Sequence, residues 1–137
     1  MIKVIAEIGI NHESSVDIAK KLIDSAEISN CWAVKFQYRS FHNFYGSTNE
    51  IGDELIYDQL NMAYLSLKDI AELTIYAKKK KLKVGISFFT IEDFNEITST
   101  KINFDFYKIP SAEFSNSKLV EKAKSTGKLL LLSTGGH

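Results

Sequence analysis

Short apolar runs alternate with amphipathic segments along the whole chain, and this alternation constrains the fold more than any other feature. Five runs are predicted to be strands: Lys3 to Ile8, Trp32 to Tyr38, Leu82 to Ser87, Phe104 to Ile109 and Leu129 to Ser133. Helical periodicity fills the intervals between them, from about Ser15 to Ser29, Ser66 to Lys80, from Thr90 onward, and Ser115 to Ser125. Strands that alternate with helices favour an α/β fold, in which helices cover a parallel sheet.

Two α/β architectures fit this order of elements. A doubly wound open sheet would normally carry a glycine-rich phosphate loop after its first strand, but Gly9-Ile10-Asn11-His12 has a single glycine. A (β/α)₈ TIM barrel fits better, because every predicted strand has its polar residues at or just past its carboxyl end. A whole barrel needs about 250 residues, so the 137 residues here are predicted to be its N-terminal portion, with about five β/α units.

Details of the intervals between strands add to this prediction. Residues 39–52 have no clear period and are expected to form a long loop, and a short helical pattern covers residues 54–64. Ser66 to Asp69 and Thr90 to Asp93 both match the capping box that opens a helix, and Gly127 is expected to end the last one.

Composition excludes several classes of protein. Seventeen basic residues balance seventeen acidic ones, so no charge excess indicates binding to nucleic acid or to an anionic membrane. No apolar run is long enough to span a bilayer or to act as a signal peptide. The lone Cys31 excludes an internal disulfide and fits a reducing compartment. We therefore expect a cytoplasmic protein.

Polar and charged residues collect at the carboxyl ends of the predicted strands, which is where parallel α/β folds place their chemistry. The set comprises Glu7, Asn11, His12, Lys35, Gln37, Ser87, Lys108, Ser111, Glu113, Ser133 and Thr134. Two lysines and several hydroxyls at one edge would suit a small ligand with several negative charges. Simpler roles remain open: Glu7 and Lys35 as a structural ion pair, Lys108 extended to solvent, and His12 as a helix cap or a partner of a loop carbonyl.

Four segments together resemble the sialic acid synthase family. They are Ala6-Glu7-Ile8-Gly9-Ile10-Asn11-His12-Glu13, Val34-Lys35-Phe36-Gln37, Tyr107-Lys108-Ile109-Pro110-Ser111-Ala112-Glu113 and Leu132-Ser133-Thr134-Gly135-Gly136. The first and third are specific, whereas the other two are short. The resemblance implies a (β/α)₈ barrel followed by an antifreeze-like C-terminal domain, of which residues 1–137 would be the N-terminal part of the barrel alone.

The resemblance also implies an activity, the condensation of phosphoenolpyruvate with an N-acyl sugar such as N-acetylmannosamine to give a nine-carbon sialic acid and phosphate. Lys35, Ser87, Lys108, Ser111 and Ser133 would hold phosphoenolpyruvate. Glu7 and Gln37 would face the acceptor sugar, with Asn11 and Glu113 in support; Glu7, Lys35 and Lys108 would be catalytic. A divalent metal, Mn²⁺ or Mg²⁺, would polarise the sugar aldehyde, with histidine ligands expected beyond His137 rather than at His12, His42 or His137.

Three departures from the family pattern leave the acceptor sugar open, so that pseudaminic and legionaminic acid synthases fit as well. Ser14 and Ala112 stand where glycine is frequent, and Ser87 stands for a threonine. A truncated half barrel that binds or assembles without catalysis is the alternative. We expect residues 1–137 alone to be inactive, and their open sheet edges to favour self-association, with a homo-oligomer as the assembly.

Overall fold

A five-stranded parallel sheet forms the centre of the molecule. The computed structural model describes residues 2–40 and 62–135. Its strands are β1 (Ile5–Gly9), β2 (Ala33–Gln37), β3 (Lys83–Ser87), β4 (Phe106–Ile109) and β5 (Leu129–Leu132). They lie in the order β1-β2-β3-β4-β5, and every neighbouring pair is parallel. Because the order never reverses, the sheet lacks the switch point of a doubly wound fold and follows the path of a TIM barrel.

Among residues 2–40 and 62–135, the α-helices that connect or follow the strands are α1 (Val16–Ile28), α2 (Leu67–Lys79), α3 (Ile91–Ser99) and α4 (Ser117–Ser125). A 3₁₀ helix, Ser111–Glu113, lies between β4 and α4. Ion pairs join the outer surfaces of α1 and α2, with Lys20 Nζ 2.6 Å from Glu72 Oε1 and Lys80 Nζ 2.7 Å from Glu27 Oε2.

All four helices pack against the same face of the sheet, which we call the outer face. The core contains alternate strand residues such as Val34, Phe36, Val84 and Ile86, together with side chains from each helix. Successive strand residues point to opposite faces, so the intervening residues form an inner face that none of these helices covers. Helices on one face alone are expected of a barrel wall.

The predicted helix starts at Ser15, Ser66 and Thr90 are confirmed as N-caps, whereas the start predicted at Ser115 is corrected. The Ser66 hydroxyl accepts from the Asp69 backbone, and the Asp69 carboxylate accepts from the Ser66 backbone, so the capping box is complete. At α3 the capping box is half formed: Thr90 accepts from the Asp93 N–H, but the Asp93 carboxylate bonds elsewhere. α4 starts two residues later than predicted, because Ser111 to Glu113 form the unpredicted 3₁₀ turn.

Several predictions concern residues outside those described, namely the loop beyond residue 40, the helical pattern before residue 62, and the histidines at 42 and 137. Within residues 2–40 and 62–135, no helix combines the length and apolar character needed to cross a bilayer.

Candidate active site

The carboxyl ends of the strands bring five of the predicted residues onto the inner face. Glu7 pairs in register with Lys35, and Gln37, Ser87 and Lys108 lie side by side on three successive strands. Lys35 and Gln37 are two residues apart on one strand and therefore point the same way. These residues form two levels of the inner face, one with Glu7 and Lys35 and the next with Gln37, Ser87 and Lys108. We call the two levels together the mouth.

Lys35 lies at the centre of the mouth. Its side chain is 7% exposed, and its ammonium group is 2.7 Å from Glu7 Oε2 and donates to Ser87 Oγ over 2.6 Å. Burial lowers the pKa of Lys35; Glu7 raises it, and the nearby Lys108 lowers it again. The structural ion pair considered from the sequence is therefore present, and Lys108 lies close by, because it pairs in register with the Ser87 that accepts from Lys35.

The pairing leaves Lys35 with a capacity for further ligands. An ammonium group has three N–H donors, and Glu7 and Ser87 account for two of them. Glu7 is exposed at the rim, so water or a ligand reaches its carboxylate. The pair thus combines a buried cation with an accessible anion, which is the arrangement of a site that binds from the open side.

Gly9 makes room for this arrangement at the end of β1. Its φ is +47°, and a Cβ there would lie 2.9 Å from Glu7 Oε1 and 3.1 Å from Gln37 Nε2. The register between β1 and β2 also shifts between Glu7 and Gly9. A side chain at position 9 would therefore displace two of the predicted sugar-facing groups.

Ser111 and Ser133 lie past the ends of β4 and β5. Ser111 opens the 3₁₀ helix, and the Ser133 N–H donates to the Ile109 carbonyl over 3.1 Å, which continues the β4–β5 ladder. A Cβ placed on Gly135 would lie 3.9 Å from Ser111 Cβ. The two serines are thus at the mouth edge on neighbouring strands, while Thr134 is exposed beside them.

The loop after β1 holds Asn11 and His12. Asn11 is exposed, and its amide donates to the Glu7 carbonyl over 3.3 Å. His12 is buried; its Nδ1 accepts from the Ser14 backbone N–H over 3.2 Å, and burial lowers its pKa while a hydrogen bond with the Gly9 backbone raises it. His12 therefore ties the loop together, and the helix is capped by Ser15 instead.

Glu113 lies beside two residues that the sequence analysis did not select, Arg39 and Asp93. Arg39 follows β2 and stacks on the Phe89 ring, with its guanidinium carbon 3.6 Å from the ring centre. Asp93 is 1% exposed and accepts from the backbone N–H of Ser40 over 2.9 Å. One feature of the sequence could have identified Arg39 as a site residue. It follows Lys35 and Gln37 at the same two-residue spacing, so it continues the set of β2 residues that point to the inner face.

Aromatic rings lie on the inner face at the base of the mouth. Gly85 lies between Lys35 and Phe106 in register, and a Cβ there would fall 2.1 Å from the Phe106 ring. Phe106 stacks on Trp32 with ring centres 5.7 Å apart, and Lys3 lies 4.8 Å from the Trp32 ring centre. The Phe106 ring thus lies in the lower of the two levels of the mouth, the level of Lys35.

The described residues do not fit the expected metal. Among residues 2–40 and 62–135, no group of three His, Cys, Asp or Glu side chains is arranged to hold an ion. His12 is buried within its loop, with Nδ1 occupied. That the metal ligands lie beyond His137 stays a prediction.

A parallel sheet with one buried lysine, Lys35, and a second, partly exposed lysine, Lys108, at its carboxyl edge has the architecture of a TIM-barrel protein with polar groups at its mouth. The chain belongs to the NeuB family, whose model matches residues 22–137. It is 33% identical over 134 residues to an uncharacterised protein of Methanocaldococcus jannaschii, covering 96% of this chain and 37% of that protein. It is 30% identical over 141 residues to the N,N'-diacetyllegionaminic acid synthase of Campylobacter jejuni, covering 96% of this chain and 42% of that enzyme.

A solved structure supports the same conclusion. The N-acetylneuraminic acid synthetase of Leptospira borgpetersenii, in complex with citrate, matches 99% of this chain and 45% of its own, with a TM-score of 0.83 and 26% identity. The predicted fold is confirmed: the chain has the fold of the N-terminal portion of a sialic acid synthase TIM barrel. It spans roughly two fifths of the length of these relatives.

Proposed function

We propose that the protein carrying this chain condenses phosphoenolpyruvate with an N-acyl aldose to form a nine-carbon sialic acid. C3 of phosphoenolpyruvate would bond to the aldehyde carbon, and a water oxygen would add at C2. The bond between C2 and the bridging oxygen would break, and its electron pair would leave with inorganic phosphate. Membership of a family that includes sialic-acid-type synthases supports this reaction.

The observation that carries the proposal is the buried Lys35 ammonium group, held between Glu7 and Ser87 with Lys108 close by. Phosphoenolpyruvate bears a phosphate and a carboxylate, and two fixed cations with hydroxyl donors match both groups. Negative charge grows on the departing phosphate as the C–O bond breaks, so positive groups already in place lower the barrier. Lys35, Ser87, Lys108, Ser111 and Ser133 are assigned to this anion, and Glu7, Gln37 and Asn11 to the acceptor side.

Divalent metal ions would supply Lewis acid chemistry at the aldehyde in this reaction. We assign no described residue to such an ion and derive no step from it. On the same reasoning we propose that residues 1–137 by themselves do not catalyse the condensation. Phosphate release from the isolated chain, dependent on metal and acceptor, would contradict that statement.

The test uses the full protein with phosphoenolpyruvate labelled with ¹⁸O at the bridging position. We expect the label to appear in inorganic phosphate in step with the nine-carbon product. Lys108→Met should lower kcat/KM for phosphoenolpyruvate by about a hundredfold or more, as loss of a fixed charge contact does. Lys118→Met, which removes a similar charge from the exposed surface of α4, is the matched control.

Three results would reject the proposal. One is label retained in the organic product, and another is phosphate release that does not depend on the sugar. The third is an unchanged kcat/KM in Lys108→Met, which would remove Lys108 from the anion site. Binding of phosphoenolpyruvate without any product would favour the alternative, a half barrel that binds but does not catalyse.

A further inference from the structure

A second recess lies at the rim of the mouth, beside the lysine pair. It is a cleft of about 170 Å³ lined by residues that follow β2, β3 and β4, among them Arg39, Phe89, Asp93, Ala112 and Glu113. We call it the Arg39 cleft. Residues after three neighbouring strands meet there, so it opens at the same end of the sheet as Lys35 and Lys108.

The walls of the Arg39 cleft are held in place by contacts within the protein. The Arg39 side chain is half-buried and lies flat on the Phe89 ring. The Asp93 carboxylate is fixed by two backbone donors, Ser40 N–H at 2.9 Å and Phe89 N–H at 3.4 Å. Glu113 Oε2 accepts from the Asn116 amide over 2.9 Å. The exposed lining of the recess is mostly apolar, with a few polar groups held in set positions, which is what selective binding requires.

The charge of the Arg39 cleft differs from that of the lysine pair. Asp93 and Glu113 both act on the Arg39 guanidinium and raise its pKa, against the lowering caused by burial. One guanidinium therefore faces two carboxylates, and no surplus of positive charge is left for an anion. At Lys35 the balance is reversed, because a single carboxylate, Glu7, lies beside two lysines.

We propose that the Arg39 cleft is a second subsite of the mouth, which binds an uncharged hydrogen-bonding part of the acceptor sugar. A hydroxyl or an acylamino group fits, since each can accept from a guanidinium and donate to a carboxylate. Phosphoenolpyruvate, which is anionic throughout, is excluded from the cleft by the two carboxylates. This inference rests on the proposed function and adds a specificity-determining residue, Arg39, to it.

The experiment measures the KM of the N-acyl aldose and the KM of phosphoenolpyruvate in the full protein. One variant fills the cleft with a larger side chain, and another removes the Arg39 cation. Ala112 is exposed on the 3₁₀ helix, so Ala112→Leu adds apolar bulk without removing a structural contact. We expect the KM of the N-acyl aldose to rise by about tenfold, as loss of a hydrogen-bonding subsite does, and the KM of phosphoenolpyruvate to stay within about twofold. Arg39→Met should give the same split.

The dependence of the acceptor KM on salt concentration distinguishes binding of a neutral group from binding of a charged one. The effect of Arg39→Met on the acceptor KM should be the same at about 0.05 M and about 0.5 M salt, because screening weakens contacts with ions and leaves contacts with neutral groups largely unchanged. Ser115→Leu places the same leucine at an exposed position outside the cleft lining and is the control for Ala112→Leu.

The possible outcomes separate this inference from the proposed function. If the wild-type protein releases no phosphate with any N-acyl aldose, both fail. If it does so and Ala112→Leu leaves the acceptor KM unchanged, or raises the KM of phosphoenolpyruvate instead, the cleft inference alone fails. The same holds if the Arg39→Met effect shrinks at high salt. Should Arg39→Met not fold, Ala112→Leu compared with its control Ser115→Leu decides the question.

Discussion

The two faces of the sheet use the same strands for different purposes. On the outer face, Phe36 and Ile86 are fully buried against the helices. On the inner face, one residue further along each strand, Gln37 and Ser87 stand beside lysines. Apolar burial stabilises the fold in proportion to the area removed from water, whereas the buried Lys35 has to be compensated by Glu7 and Ser87. The outer face therefore carries stability, and the inner face holds the groups that we propose bind substrate.

Adjacent substitutions at Phe36 and Gln37 test this division most strongly. Phe36→Ala removes a fully buried ring and should lower the free energy of unfolding by about 3–5 kcal/mol. Gln37→Ala removes a half-buried side chain on the opposite face and should change it by less than about 1 kcal/mol. Urea titration of both variants provides the measurement. Equal losses would show that the inner face also carries the fold.

Glu7→Gln and Lys108→Met sharpen the comparison within the inner face. Glu7 raises the pKa of Lys35 and Lys108 lowers it. If protonated Lys35 binds phosphoenolpyruvate, log(kcat/KM) should fall at alkaline pH, with an apparent pKa below the ordinary lysine value of 10.5. Glu7→Gln should move that limb to lower pH, and Lys108→Met should move it to higher pH. We also expect Glu7→Gln to abolish synthesis, or to leave only a trace, at saturating substrate levels. For this variant the affinity for phosphoenolpyruvate is therefore measured as a function of pH in place of kcat/KM.

Stability should respond to the same shift in a defined direction. A lysine whose pKa is lowered by folding binds its proton less well in the folded state than in the unfolded chain. The Lys35 contribution to stability therefore rises with pH between the lowered pKa and 10.5. If the pKa of Lys35 falls in Lys108→Met as it does in Glu7→Gln, Lys108 does not lower it. If the pKa rises in both variants, Glu7 does not raise it.

The smallest expected effect concerns the loop that leads away from the mouth. Glu13 and Ser14 both have positive φ, 48° and 57°, a conformation in which glycine is less strained than other residues. Ser14→Gly should therefore raise the free energy of unfolding by up to about 1 kcal/mol. Lys81→Gly, at φ 62° just before the amino end of β3, is the matched comparison. If only Lys81→Gly stabilises, interactions of the Ser14 side chain outweigh the relief of its backbone strain.

Much of this architecture was predictable because it follows from local patterns. The alternation of strand and helix signals predicted the parallel sheet, and polar residues at strand ends predicted the mouth. Lys35 beside Ser87 follows from strand parity and register once the order of the strands is known. The resemblance to a known family supplied the roles of the serines and glutamates, which spacing alone did not.

What could not be predicted depends on contacts between distant segments. Asp93 reads as a capping residue, but its carboxylate reaches Ser40, 53 positions earlier. Arg39 reads as the start of a loop, and only the stacking on Phe89 places it at the mouth. The 3₁₀ turn after Pro110 carries no strong periodic signal in three residues. In each case the tertiary partner, not the local sequence, decides the conformation.

The close approach of Phe106 to Gly85 sets how deep a substrate can enter. The ring fills the volume that a side chain at position 85 would need, so the two positions share a single space across two strands. Because Gly85 lies between Lys35 and Phe106, enlarging residue 85 would fill the space beside Lys35 and make the mouth shallower. Shortening residue 106 would open a slot at the level of the lysine. Depth is thus adjustable without altering any residue that would touch the substrate, which makes this pair a natural place to resize the site for a longer or shorter anion.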